Sequence, residues 1–498
     1  MASYNKSIKS SSNKRSNPLE EKEFRKKSRS AFVWNMVDRV GSQLMSAIIG
    51  ITLARLLGAA EYGLTGALAI FIALSQALTD SGFSAALVRK QHITEADYNT
   101  VFYYNLFISV ALYIAGYFAA PVIAQFFGEP ILVPVARVLF TVFIFNALCL
   151  IQNAKMVKEI NFRKVATINV CAIIISGAVA LIMAVNGCGV WALVAQLTIQ
   201  AFVKMIMQWV WGGWKPQAIF SWQSFRELFA FSSNIMLANV LNVLFLNIYS
   251  AIIGRLYSSR ELGYYSQANK WSDMGVTTLY GIILNSTYTL FSAIQNDPER
   301  LLRSYRKSMK LTAFITFPTL LGLSLAARPF ILILLGDKWE TSIPMFSLLL
   351  IAGIFTVLTS LNGNFIRIEG SSGLALRLEI FKVALFAAVL AFTWHLPIIQ
   401  LLWGMVATRA IVYIVSIITI GRRIGYAWHQ QIIDIMPSCA TALLMVCFAY
   451  PIQLFISNIY LLFFTQLVVC LVFYLAINRY IQSDILNELI GAIKKSNR

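Results

Sequence analysis

The residues most able to do chemistry lie in the first long apolar stretch of the sequence, residues 31–66. Asn35, Asp38, Arg39, Ser42 and Ser46 recur there at helical spacing, which places them on one side of a helix. Lipid would reject that side, because an Arg or Asp at mid-bilayer costs roughly 2.5–3.5 kcal/mol on insertion scales. The stripe is therefore predicted to face a protein interior or a water-filled cavity. The alternative is that Asp38 and Arg39 lie close enough to the helix end to reach the lipid headgroups.

A similar pattern returns in the second half of the chain. Three residues of the turn after the first stretch have counterparts there: Arg55 and Arg255, Glu61 and Glu261, Gly63 and Gly263. The corresponding helix of the second half carries Asn239 and Asn242, and Asn239 stands where Arg39 stands. The repeat predicts two related halves that differ in charge.

Composition places the chain in the membrane. Of its 498 residues, 58% are hydrophobic and 13% are charged, and the mean hydropathy is +0.69. A soluble protein could not hide so much apolar surface, so a polytopic helical membrane protein is predicted. In that setting the net charge of +19 indicates orientation, and nucleic acid is not an expected partner.

Apolar runs predict about fourteen membrane-spanning helices in an all-α membrane protein. Two six-helix lobes are expected, followed by two C-terminal helices. An even number of spans in each lobe gives both lobes one orientation, so the pseudo-two-fold axis should follow the membrane normal. The predicted segments are a disordered cytoplasmic basic tail at 1–30, a first lobe at 31–211, an interfacial linker at 212–229, a second lobe at 230–420, two further spans at 421–482 and a cytoplasmic tail at 483–498.

The sequence also predicts the approximate position of each span. They are expected near 31–57, 64–88, 100–120, 132–152, 165–186, 190–211, 230–254, 274–294, 308–327, 344–362, 376–394, 398–420, 435–455 and 459–480. Most of the 41 Lys and Arg residues fall in segments that this topology places in the cytoplasm. Both termini are therefore predicted to be cytoplasmic.

Other charged residues also fall within predicted spans. Arg137 and Arg409 are each either cavity residues or structural residues paired with a carbonyl or an acid. Asp80 could pair with Arg39, take part in ion coupling, or cap its helix. Arg55 and Arg255, in the repeated turn, are candidates for gating or coupling, and a structural role is equally open for Arg55. Lys204 lies near the cytoplasmic end of its predicted span, so its side chain is expected to reach the cytoplasmic side of the membrane.

Motifs for enzymatic chemistry are missing from the sequence. No GxxxxGK[ST] loop occurs, the three His residues are scattered, and no metal-ligand pattern or cofactor motif is found. The predicted external loops are short, whereas a membrane glycan polymerase or ligase needs room for acid–base groups. A transporter without a cofactor or a metal is therefore predicted.

Three stretches carry a family resemblance: Asp38-Arg39-Val40-Gly41, the turn ARLLGAAEYG at 54–63 and its counterpart GRLYSSRELGYYSQ at 254–267. They resemble the polysaccharide-transport branch of the MOP flippase superfamily, the Wzx-like lipid flippases. The resemblance implies alternating access by two lobes in the bacterial inner membrane. It also implies an undecaprenyl-diphosphate-linked oligosaccharide as substrate, with Arg39 as a cavity residue and a polysaccharide polymerase or chain-length machinery as partner. The coupling ion, Na⁺ or H⁺, stays open.

Three other functions are alternatives to a lipid flippase. A MATE-like small-molecule antiporter would share the fold, but such proteins prefer acids in the cavity, whereas the charges within these spans are mostly positive. A glycan polymerase or ligase would need a longer external loop. A scaffold without transport has no reason to bury Asp38 and Arg39. An anionic lipid-linked substrate in contact with membrane lipids is favoured.

Overall fold

The structure is a computed structural model that describes residues 18–80, 83, 87, 90, 93–159, 161–295, 297–369, 371–481 and 485–487. Within these residues the chain is helical and contains no strand. Eleven segments of the described residues are long and apolar enough to cross a membrane. The prediction of an all-α, multi-pass membrane protein is confirmed.

Seven helices with described bounds belong to the first part of the chain. They are α1 (Pro18–Leu56), α2 (Ala59–Asp80), α3 (Glu95–Phe127), α4 (Leu132–Leu139), α5 (Thr141–Lys158), α6 (Phe162–Val185) and α7 (Val190–Gly212). The second part contains α8 (Trp222–Leu256), α9 (Ser259–Ala293), α10 (Pro298–Leu325), α11 (Ala327–Leu335), α12 (Ser342–Glu369), α13 (Ser372–Thr393), α14 (Ile398–Ile424), α15 (Trp428–Ala449), α16 (Ile452–Phe455) and α17 (Ile459–Tyr480).

Helices occur at every predicted span, but they differ in apolar character. The predicted spans 31–57, 274–294 and 376–394 lie on α1, α9 and α13, which are absent from the eleven apolar segments. Polar side chains lower the mean hydropathy of α1 and α9, whereas α13 is apolar overall but carries Arg377, Glu379 and Lys382 within two turns. The number fourteen and the two six-helix lobes stay predictions.

Helix starts differ from the hydropathy prediction because polar residues cap the helices outside the apolar core. The Thr94 hydroxyl accepts a hydrogen bond from the Asp97 amide, and the Asp97 carboxylate accepts one from the Thr94 amide, so α3 begins at Glu95. The Asp297 carboxylate accepts a hydrogen bond from the Arg300 amide at the start of α10, and Pro298 occupies the first turn. Hydropathy finds the buried middle of a helix but not the wet turns that precede it.

The first helix corrects the prediction for the N-terminal tail. α1 begins at Pro18, so residues 18–30 are helical rather than disordered. Most residues of this stretch are Glu, Lys or Arg, which are good helix formers. Residues 1–17 and most of the predicted C-terminal tail lie outside the described residues.

The chain divides into two compact units. The first consists of Met1–Leu57 and Leu68–Asn247, and the second of Gly58–Ala67 and Ile248–Arg498. In the first unit, α6 packs against α1 and α7, and α5 packs against α3 and α7. In the second unit, α12 packs against α9, α10 and α14, and α15 packs against α10 and α17. Helices α2 and α8 each contribute to both units.

A segment that we call the strap, residues 213–221, connects α7 to α8 and is held along its length by the first unit. The Gln152 side chain donates to the Trp214 carbonyl at 2.7 Å, and the Trp214 indole donates to Glu95 at 3.0 Å. Buried groups of this kind need such partners. The sequence predicted an interfacial linker over 212–229. In the structure its second half is already the first two turns of α8.

The strap has two further attachments to α3. The Gln217 amide donates to Asn99 Oδ1 at 2.5 Å, and the Ser221 amide donates to the Thr100 hydroxyl at 2.9 Å. Nearby, Lys90 pairs with Asp97 of α3 and with Glu227 of α8. Burial disfavours the Lys90 ammonium, but the hydrogen bonds and charges of the two acids raise its pKa above the ordinary value.

Candidate functional site

The candidate site depends on a close contact between α1 and α6. A Cβ on Gly177 of α6 would lie 2.2 Å from Cδ1 of Ile49 on α1, so the helices approach this closely only because residue 177 is glycine. Asn169 precedes Gly177 by about two turns on the same side of α6. The contact therefore brings Asn169 against the polar stripe of α1.

Asp38 is held by neutral hydrogen-bond donors. Nδ2 of Asn169 lies 3.0 Å from Oδ1 and 3.2 Å from Oδ2 of Asp38. The Ser42 hydroxyl, one turn along α1, donates to Asp38 Oδ1 at 3.2 Å. The carboxylate therefore has partners that satisfy it without neutralising its charge.

A cavity of about 450 Å³ opens beside this group, within the first unit. That volume is within the usual range of small-molecule sites. Three helices line it: Asp38, Arg39, Ser42 and Gln43 come from α1, Asn169, Ala172 and Ile173 from α6, and Gln200 and Lys204 from α7. The lining is mainly polar, with two cations and one acid.

The two cations of the cavity have no anionic partner within the described part of the chain. Arg39 is exposed to solvent, and Lys204 is half-buried. Neither makes a hydrogen bond or an ion pair with another described residue. With the acid held by amide and hydroxyl donors, the cavity is an open pocket with excess positive charge, suited to an anion.

Two predicted cavity residues lie elsewhere. The Arg137 guanidinium stacks on the ring of Tyr117, with Cζ 4.2 Å from the ring centroid, and its Nε is buried without a partner among the described residues. Arg409 belongs to the second unit, where its Nη1 donates to the Thr356 hydroxyl at 3.0 Å. Neither side chain lines the Arg39 cavity.

The other predicted residues are distributed along the helices. Asn239 and Asn242 are exposed on α8 and do not line the cavity. Arg55 and Arg255 are exposed in the last turns of α1 and α8. Asp80 ends α2, and its side chain lies outside the described residues.

Sequence reasoning found three cavity residues, Asp38, Arg39 and Ser42, and missed most of the opposite wall. The pair Gln200 and Lys204, one turn apart in an apolar helix, was a usable signal. The sequence contains no comparable signal for Asn169, because its partner Asp38 is distant in the sequence.

Comparison with known proteins fits this architecture. Residues 52–344 match the family model described as "Polysaccharide biosynthesis protein", more than half of the chain. The chain belongs to this family. The family predicted from the sequence resemblance is thereby confirmed.

Two curated relatives illustrate the likeness. The teichuronic acid biosynthesis protein TuaB of Bacillus subtilis (strain 168) is 25% identical over 356 residues, which cover 69% of this chain and 74% of TuaB. The lipopolysaccharide biosynthesis protein WzxC of Escherichia coli (strain K12) is 22% identical over 368 residues, which cover 73% of this chain and 74% of WzxC.

A solved structure shares the fold. The lipid II flippase MurJ, in an inward closed conformation, superposes with a TM-score of 0.72 at 16% sequence identity. The match covers 91% of this chain and 100% of that chain. At this identity the comparison concerns the fold, and the function has to be argued from the site.

Proposed function

We propose that this protein is a flippase that moves an undecaprenyl-diphosphate-linked oligosaccharide repeat unit across the bacterial inner membrane for surface polysaccharide export. It works by alternating access and is a transporter rather than an enzyme. The proposal rests on the cavity of the first unit, which Arg39 and Lys204 line and where neutral donors hold Asp38.

The position of the cavity along its helices supports loading from the cytoplasm. Asn169 lies seven residues after the start of α6 at Phe162, and Lys204 lies eight residues before the end of α7 at Gly212. At 1.5 Å per residue, both are about 10–12 Å from the helix ends that the predicted topology places in the cytoplasm. A headgroup would thus enter well inside the membrane.

The physical task is to carry a diphosphate through hydrocarbon. Such a group loses its hydration in lipid, and charge-assisted hydrogen bonds from Arg and Lys replace part of it. Outward movement of negative charge also runs with an inside-negative potential, by about 2.3 kcal/mol per charge per 100 mV. A cavity of about 450 Å³ holds the headgroup, while the prenyl chain stays in lipid.

The names of similar proteins support the same substrate class. TuaB and WzxC are named for teichuronic acid and lipopolysaccharide biosynthesis, and MurJ is named a lipid II flippase. By this proposal both termini of the chain are cytoplasmic, and a polysaccharide polymerase receives the flipped unit.

The test is complementation of a flippase-null bacterium that still makes the matching glycan. Wild type should restore surface polysaccharide. Arg39→Ala should trap lipid-linked units inside at normal membrane expression, and Arg328→Ala, an exposed arginine paired with Glu340, should behave as wild type. If Arg39→Ala exports as well as wild type, the headgroup is held elsewhere. If folded wild type fails in its own glycan background, small-molecule export becomes the better reading.

A further inference from the structure

We propose that Lys204 is the second cationic ligand of the substrate headgroup, and that Arg39 and Lys204 together make the cavity selective for a diphosphate over a monophosphate. The inference rests on the proposed function and deepens it. It assigns a role to a residue on α7 that sequence reasoning interpreted as reaching the membrane surface.

The first step is the position of the Lys204 ammonium. Lys204 lies eight residues before the end of α7 at Gly212, about 12 Å along the helix. Lysine can bury its stem and keep its charged head in water. Here the water it can reach is the cavity, because Lys204 lines that cavity together with Gln200 one turn earlier.

The second step is the charge balance. Asp38 could in principle neutralise Arg39, its neighbour in sequence. Instead Asn169 donates to both of its oxygens and Ser42 to one of them. Two unneutralised cations therefore share one small cavity, and like charges disfavour each other there. An anion that contacts both cations lowers this cost, so the cavity prefers a ligand with more than one negative charge.

The third step is the chemistry of the two side chains. A guanidinium offers a planar fork of donors that matches one phosphoryl group, whereas an ammonium acts as a compact charge. A diphosphate presents two adjacent phosphoryl groups, one for Arg39 and one for Lys204. A monophosphate can engage both cations only by sharing its oxygens. Arg39 of α1 therefore binds one phosphoryl group of the headgroup, and Lys204 of α7 binds the other.

Binding of farnesyl diphosphate and farnesyl monophosphate to the full-length protein in nanodiscs tests this, by calorimetry. Wild type should bind the diphosphate more tightly. Lys204→Gln should weaken diphosphate binding about tenfold or more and monophosphate binding much less, so that the preference disappears. Lys204→Arg should keep the preference. Lys215→Gln, which removes an exposed lysine of the strap, should leave both affinities unchanged.

Lys204→Gln with an undiminished preference would overturn the inference, as would wild type that does not distinguish the two probes. Thermal melting of each variant shows that the fold is kept. A separate flipping assay in proteoliposomes, with a fluorescent lipid-linked oligosaccharide, separates the two proposals. Wild type that flips while Lys204→Gln binds normally refutes the role of Lys204 alone. Binding that depends on Lys204 without any flipping would refute the proposed function but would still support an anion-binding site at Lys204.

Discussion

Gly63 and Gly263 pack reciprocally at the start of α2 and α9. A Cβ on Gly63 would lie 1.7 Å from the carbonyl oxygen of Ser259, and a Cβ on Gly263 would lie 1.7 Å from that of Ala59. All four residues belong to the second unit. Each helix thus presents a small residue and a glycine four positions later, the spacing that lets helices approach closely.

The first prediction follows from this contact. Gly63→Ala places a methyl group that overlaps the Ser259 carbonyl oxygen. A backbone carbonyl cannot move aside as a side chain could, so we expect a loss of stability of about 1–3 kcal/mol. Gly263→Ala should cost the same, and the double variant should cost less than the sum, because either change already separates the helices. Thermal melting of purified protein in detergent measures this.

Gly373→Ala is the matched control for that experiment. Nothing lies within 4 Å of the position of its Cβ, and alanine is the better helix former, so stability should stay equal or rise. Equal melting temperatures for Gly63→Ala and Gly373→Ala would contradict the close approach of α2 and α9.

The second prediction concerns the carboxylate of the cavity. Asp38→Asn keeps an acceptor for Asn169 and Ser42 but removes the negative charge, so farnesyl diphosphate should bind about three- to tenfold more tightly. Glu227→Gln, an equal charge change at an exposed position on α8, should have no effect. Weaker binding by Asp38→Asn would mean that the carboxylate itself contacts the substrate.

The third prediction concerns an ion-pair cluster that joins α10 to α15. Asp434, only 5% exposed, accepts from Arg306 and Tyr426 and pairs with Lys310 at 3.2 Å. Asp434→Asn should lower stability by about 1–3 kcal/mol, because the buried Tyr426 hydroxyl and the half-exposed Arg306 guanidinium lose a charged acceptor.

Its control is the solvent-exposed pair Arg328 and Glu340, whose nitrogen and oxygen lie 3.4 Å apart. Glu340→Gln should change the melting temperature little, since exposed pairs contribute about 0–1 kcal/mol. Similar shifts for Asp434→Asn and Glu340→Gln would show that the α10–α15 cluster contributes no more than a surface pair.

The fourth prediction separates a structural from a functional role for Arg137. Tyr117→Phe keeps an aromatic face under the guanidinium and should be neutral, whereas Tyr117→Leu removes it and should cost about 0.5–2 kcal/mol. Export should then fall only as far as the amount of folded protein falls. Normal stability of Tyr117→Leu together with lost export would instead place Arg137 on the substrate path.

The sequence was a good guide to what depends on local spacing. Helical periodicity alone placed Asp38, Arg39 and Ser42 on one polar face, and the structure brings all three to the cavity. The positions of the apolar helix centres followed from hydropathy for the same reason.

What depends on packing could not be predicted. Asn169 meets Asp38 only because Gly177 lets α6 approach α1, and no property of residue 169 alone announces that contact. Arg409 and Arg39 look alike as single arginines in apolar helices, yet they belong to different units. Burial, hydration and partner choice are properties of the assembled helices.

The hydrogen bonds of the strap limit how α7 and the first turns of α8 can move relative to each other. A free loop of this length would let α7 and α8 change orientation independently, because a flexible loop can adopt many conformations at little cost in entropy. The strap has no slack: hydrogen bonds to Gln152, Asn99 and Thr100 fix its path. The first turns of α8 are therefore oriented by α3, and α8 itself passes from one unit to the other at Asn247 and Ile248. A change in the direction of α8 therefore requires either that these hydrogen bonds break or that the helix itself bends.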